Sequence, residues 1–273
     1  MPSRLLAVFL LSLFCFHASG NDYTLAIGQP HTHYIEVTAQ FPTTGSPFEL
    51  TMATWIPGSY LLREFSRKVE SVRAMQNGES IPIVKTAKNR WQVSPNGDGN
   101  VAVRYRVYAH EMSVRTSFVD HEFALINPSN VLMYRQETMN QPMTLRLRLP
   151  DQWSVHGAWV TAGDDRRVEA PNWDAMVDGP MLAGQARVNA YEVGGTLHKL
   201  ITVGDASQLF DQQMAIEDLA HITSEQRRFW GDFPYRGPYL FLNVLAEGRG
   251  GLEHASSTVI MASRFATRKR EDY

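Results

Sequence analysis

Cysteine is almost absent: the one thiol among 273 residues is Cys15. It sits in the apolar run 5–16, which follows Arg4 and precedes the small residues Ala18-Ser19-Gly20. That order is the pattern of a cleaved secretory signal, so residues 1–20 are expected to leave the mature chain. The run is shorter than the roughly 20 residues that span a bilayer, and Leu13-Phe14 lack the small side chains of a lipoprotein site. A mature chain without thiols has no disulfide framework and no cysteine nucleophile. Secretion without disulfides fits the bacterial periplasm, with no membrane attachment after cleavage.

An excess of either charge is lacking too. The formal net charge is -2, which gives no footing for nucleic acid or for an anionic membrane surface. Several catalytic signatures are also missing. Gly58-Ser59-Tyr60 lacks the glycine two residues before the serine and follows Pro57, so there is no nucleophile elbow. No glycine-rich phosphate loop precedes the clear helix. A helical H-E-x-x-H would set two imidazoles on one face around zinc. His110-Glu111 and His121-Glu122 begin that pattern but reach Val114 and Leu125 at the fifth position. His31-Thr32-His33, taken as a strand, offers two ligands on one face without a third, and is read as a surface pair. No catalytic residue and no metal ligand is expected within these 273 residues.

What is present from residue 21 to about 180 is period two. Ile35, Val37, Ala39 and Phe41 alternate with Glu36, Thr38 and Gln40; Val101, Val103, Tyr105 and Val107 alternate with Arg104 and Arg106; Met143, Leu145, Leu147 and Leu149 repeat the pattern. Each run has the pattern of a half-buried strand. Turn residues such as Asn77-Gly78, Gly97-Asp98-Gly99 and Asn127-Pro128 separate the runs. An antiparallel β-sandwich over 21–180 is the expectation.

After Asp178-Gly179-Pro180 the texture changes. Segments 186–193 and 196–203 form an expected hairpin about Gly194-Gly195. From 207 to 230 there is no Gly or Pro, and Ala215, Ile216, Leu219, Ile222, Phe229 and Trp230 fall near one helical face, with Gly231 as the stop. A strand over 239–246 follows, then Gly250-Gly251-Leu252-Glu253-His254, then an apolar run to Met261. Two strands joined by this glycine-rich turn would deliver a carboxylate to a sheet edge. The whole is a β-rich, α+β chain: a sandwich, then the start of a second domain over 181–273.

The turn Trp55-Ile56-Pro57-Gly58-Ser59-Tyr60-Leu61, the Asp178-Gly179-Pro180 stretch, the corner from Trp230 to Tyr235, the Tyr239-Leu240-Phe241-Leu242 strand and Gly250-Gly251-Leu252-Glu253-His254 with Ser257-Thr258 occur in one order. Together they resemble the N-terminal part of the glycyl aminopeptidase family, metallopeptidases of the gluzincin type. The resemblance covers nearly the whole mature chain. It implies a β-sandwich followed by a thermolysin-like zinc domain, truncated here before the zinc motif, and usually a PDZ domain behind. It implies zinc in the full-length parent, with none bound by the residues present, and removal of N-terminal glycine or alanine from a peptide with a free amino end. It also implies site residues: Gly250 and Gly251 for close approach of the peptide backbone, Glu253 for the α-ammonium, and His254 beside it. On the residues alone, Trp55 to Phe65 is either a turn fixed by Ile56-Pro57-Gly58 with aromatics packed beneath it, or a turn that hangs over a neighbouring site. The fragment alone is expected to be inactive. The competing reading is a non-catalytic periplasmic β-sandwich module that binds peptides or a protein partner.

Overall fold

The computed structural model describes residues 21–268 apart from 206 and 236. The expected signal, 1–20, and the segment 269–273 lie outside the described residues. An eight-stranded sheet carries most of the sandwich, in the order Val160–Thr161, Asp164–Ala170, Met143–Arg148, Asp22–Ala26, Tyr34–Thr44, Asp98–Tyr108, Val69–Gln76, Glu79–Ile81. Its pairs are antiparallel except one: Asp22–Ala26 lies parallel to Met143–Arg148. Parallel neighbours need a long connection, and here that connection is the rest of the sandwich. A second sheet packs across the core in the order Met133–Tyr134, Phe48–Met52, Arg90–Val93, Ile83–Ala87. The alternation sorts the side chains as its period requires. Ile35, Val37, Ala39 and Phe41 are buried with Val101, Val103, Tyr105 and Val107, whereas Glu36 and Gln40 face solvent. Each such aliphatic or aromatic side chain contributes about 1.5–3 kcal/mol through burial.

Met181–Gly184 sits inside a four-stranded sheet ordered Ser154–Gly157, Met181–Gly184, Phe123–Ile126, Phe118–Val119. Both of its faces are covered. Met181 and Ala183 enter the sandwich core, and Leu182 enters a second core with Phe118, Phe123 and Leu125 on one side and Ile201, Leu242, Val244, Leu252 and Val259 on the other. One strand therefore ties the sandwich to the sheet that follows.

That sheet has five strands, ordered Arg187–Val193, Thr196–Val203, Tyr239–Leu245, Ser257–Ala262, Gly250–Glu253. The hairpin about Gly194-Gly195 forms. The expected pairing of the 239–246 strand across a glycine turn does not. Ser257–Ala262 takes the place beside Tyr239–Leu245, in parallel, and Gly250–Glu253 folds back as an outer strand. The inner place is covered on both faces and suits a continuous apolar run. A Gly-Gly strand has no side chains to fill that place, so it lies at the edge.

The helix Gln212–Trp230 is capped by the Asp211 carboxylate, which accepts the Met214 N–H at 3.0 Å, and it ends at Gly231. Its expected apolar stripe buries only in its first half. Ala215 is buried and Ile216 and Leu219 pack beside Leu200 and Phe210, whereas Ile222, Phe229 and Trp230 are exposed. The helix crosses the hairpin through a Tyr191–Thr223 hydroxyl contact of 2.9 Å and passes the Gly194 turn at Arg227. Beyond that turn no strand among the described residues lies beneath it. Among the described residues no helix is long and apolar enough to cross a membrane.

Candidate functional site

Gly250–Glu253 is the outermost strand of its sheet, paired with Ser257–Ala262 so that Gly251 faces Ile260 and Glu253 faces Thr258. His254 donates its N–H to the Ser257 carbonyl at 2.8 Å. Bonded and non-bonded pairs alternate along an antiparallel ladder, so Leu252 and Gly250 turn their backbone groups toward the sheet. Gly251 and Glu253 turn theirs outward, along the open edge. Leu252 anchors the strand by burying in the second core. Gly251 and Glu253 project from the opposite face, and both are exposed. A Cβ on Gly251 would lie 3.8 Å from Glu253 Oε1, so the glycine leaves space beside the carboxylate. The arrangement is a short backbone template with an acid at its end.

Two distant segments converge on this end. Asp178 binds the turn after Glu253 with both oxygens: Oδ1 meets His254 Nδ1 at 2.8 Å, and Oδ2 accepts the Ala255 N–H at 3.0 Å. The His254 side chain has no exposed surface. It faces inward onto Asp178, and not the edge where the resemblance placed it as a substrate neighbour; its contact holds the turn. The second segment is the turn from Ile56 to Ser59, which closes on itself through a Ser59 N–H to Ile56 carbonyl bond of 3.1 Å. Gly58 has φ +79, and a Cβ there would sit 2.9 Å from the Glu253 carbonyl oxygen and 3.0 Å from Leu252 Cδ1. Only glycine fits both the backbone angle and the space. The turn therefore sits directly against the end of the edge strand.

Beside this edge lies an aromatic floor. Tyr239 donates its hydroxyl to the Ser257 carbonyl at 3.0 Å. Burial, with the adjacent Tyr235 phenol and the Glu253 and Asp178 carboxylates adding to it, pushes its phenol up to about 12, so the proton stays on. Next to it His198 is fully buried among Tyr191, Phe233 and Tyr235. Its Nδ1 lies 2.9 Å from the Thr196 carbonyl and its Nε2 lies 2.9 Å from the Tyr235 hydroxyl. A carbonyl only accepts, so Nδ1 carries the proton and Nε2 accepts from Tyr235. Desolvation lowers the imidazole pKa, outweighing the opposing effect of the Thr196 carbonyl. The folded state thus resists taking a proton that the unfolded chain accepts near pH 6.5. Its contribution is complete above that value and is lost as pH falls below it. Urea midpoints should fall between pH 7.5 and 5.5, and the fall should be smaller in His198→Gln; an identical fall in both proteins would contradict this assignment.

Among the described residues no three His, Cys, Asp or Glu side chains converge to hold a metal. His31 and His33 do not share a strand face, because Pro30–Thr32 is a 3-10 turn and His33 takes a left-handed φ of 64. His33 stacks on His110 at 3.7 Å. Glu111 pairs with Lys68 at 2.5 Å, and Glu122 lies 3.8 Å from its neighbour His121. The sequence offered no role for Asp178 or Tyr239 at this site. A carboxylate and a histidine 76 positions apart have no local periodicity to connect them; only the common order of their motifs pointed that way.

The sequence matches the peptidase M61 N-terminal domain over residues 22–185. A comparison with curated proteins returns no match. Among solved structures, an aminopeptidase N family protein from Idiomarina loihiensis superposes with a TM-score of 0.84 and 30% identity, over 89% of this chain and 42% of that one. An M1 zinc metallopeptidase from Deinococcus radiodurans gives a TM-score of 0.49 and 14% identity, over 93% of this chain and 61% of that one. The chain thus spans less than half the length of the Idiomarina protein. With a family match across more than half of its residues, this chain belongs to the peptidase M61 N-terminal domain family.

Proposed function

We propose that this chain is the substrate-holding front part of a secreted, periplasmic zinc aminopeptidase that removes N-terminal glycine or alanine from peptides. The observation that carries the reading is the outward backbone of Gly251 beside the exposed Glu253 carboxylate at the end of an edge strand. An extended peptide can add to such an edge by main-chain hydrogen bonds, and a carboxylate accepts charge-assisted hydrogen bonds from an α-ammonium. The peptidase M61 match and the likeness to an aminopeptidase N family protein support the same reading.

In this reading Glu253 accepts from the ammonium, and Gly251 donates to and accepts from the peptide backbone. Gly250 and Gly251 leave room for close approach, and Asp178 with His254 holds the turn that carries the acid. In this reading the metal, its ligands and the group that activates water belong to the full-length parent. The test is made on the full-length protein. It should release glycine from a short peptide, lose that activity to a chelator and regain it with zinc, while residues 21–273 alone release none. Turnover by the fragment, or chelator-resistant turnover by the full-length protein, would refute the reading.

A further inference from the structure

We infer that the 54–63 loop of the sandwich is a steric stop that closes the substrate edge immediately beyond Glu253, so that a bound peptide must end there. This rests on the aminopeptidase reading of the edge strand and adds what makes the site count from a free end. A bare sheet edge has no such limit. Its outward N–H and C=O groups repeat every second residue, and a chain added to it can run past either end.

Here the edge is blocked at one end. Glu253 turns its carbonyl outward, yet that oxygen lies against the Gly58 backbone, close enough that even a methyl group at Gly58 would meet it at 2.9 Å. No strand can lie between them. At Gly251, two residues earlier, the space is open: among the described residues a Cβ built there meets Glu253 Oε1 alone, at 3.8 Å.

The blocking loop is braced at both levels. Its base is pinched by the Arg63 N–H to Thr54 carbonyl bond of 2.6 Å, and Ile56 and Ser59 bridge across its turn. Ile56, fully buried, plugs into the same core as Leu252, so the stop and the edge strand share a foundation. Its tip is apolar and uncovered: Tyr60 and Leu62 are 104% and 80% exposed, and Trp55 and Leu61 are about half exposed. An ammonium held by Glu253 would have the loop in front of it, with no further backbone position to occupy. A peptide with an acylated or extended amino end would have to displace the Gly58 turn, and would lose its charge on Glu253 as well.

Two experiments on the full-length enzyme test this. In the first, residues 55–62 are replaced by two glycines, which the pinched base at Thr54 and Arg63 can join. The ratio of kcat/KM for a free-amine peptide to that for its N-acetyl counterpart is then compared with wild type. We expect the ratio to fall at least tenfold, with cleavage of N-extended peptides gained. In the second, which needs no folded variant, a free-amine peptide whose first residue carries a small diazirine side chain is photolysed on the unaltered enzyme. Label should fall within 55–62. An unchanged ratio in a folded variant overturns the stop, as does label found only outside the loop. A wild-type enzyme with no preference for free amines overturns instead the aminopeptidase reading beneath it.

Discussion

Glu253→Ala in the full-length protein should lower kcat/KM for free-amine peptides by about two orders of magnitude, the scale for truncating one partner of a hydrogen-bonded charge pair. Glu253→Gln should recover little, because the amide offers the ammonium a weaker acceptor without charge. The fold should be unaffected, since the side chain is exposed and the buried anchor of the strand is Leu252. Steady-state kinetics on free and N-acetylated peptides, with a thermal melt of each variant, provide the check. A correctly folded alanine variant with wild-type kcat/KM would remove Glu253 from the site.

The second large effect is on stability. Asp178→Ala should destabilise the protein by about 1–3 kcal/mol, the cost of one buried donor left unmet. That donor is the His254 imidazole, whose side chain is wholly enclosed; the Ala255 N–H at the turn is exposed, so water can take the place of its lost acceptor. Asp178→Asn keeps one carbonyl acceptor and should cost less than half as much. Denaturant midpoints at pH 7.5 measure both variants, and a change below about 0.5 kcal/mol, the usual range of surface substitutions, would mean that the pair is not structurally coupled. The same loosening should raise KM for free-amine peptides in the asparagine variant, because Glu253 directly precedes the turn that Asp178 holds.

The buried imidazole shows how function and stability meet at this edge. The His254 side chain is enclosed against Asp178 and fastens the turn that follows Glu253. The fastening reaches back to Asp178, just before the strand that joins the two cores. Movement of the sandwich against the five-stranded sheet would therefore be felt at Glu253 through two contacts, Asp178 on the turn and Gly58 on the carbonyl. The Ile222, Phe229 and Trp230 side chains, by contrast, are exposed. The regular spacing of a helical stripe says that one face is apolar, but not how far along the helix a sheet lies under it.

Local rules sufficed for the elements themselves. Alternation in 35–41 and 101–107 set strands with one buried face, because side chains two apart must share a face. Gly231 bounded the helix at its end, because glycine releases the chain there; the start, expected near 207, is at Gln212 behind the Asp211 cap. The Gly-Gly-Leu-Glu-His motif, with its companions in order, marked the acid. Pairing was another matter. Whether Gly250–Glu253 would be a turn between strands or a strand at the edge depended on which segment could fill an inner place covered on both faces, and that is a competition between segments that no single one reveals. The parallel pairing of Asp22–Ala26 with Met143–Arg148, the meeting of Asp178 with His254 and the seat of Gly58 on Glu253 are likewise contacts between residues far apart in sequence. By itself the sequence determined the strands, the helix and a carboxylate directly after a glycine-rich segment, because those follow from neighbours along the chain. Only the tertiary structure decided that this carboxylate ends an open edge with a turn closed over it, because that depends on which surfaces the folded chain brings together.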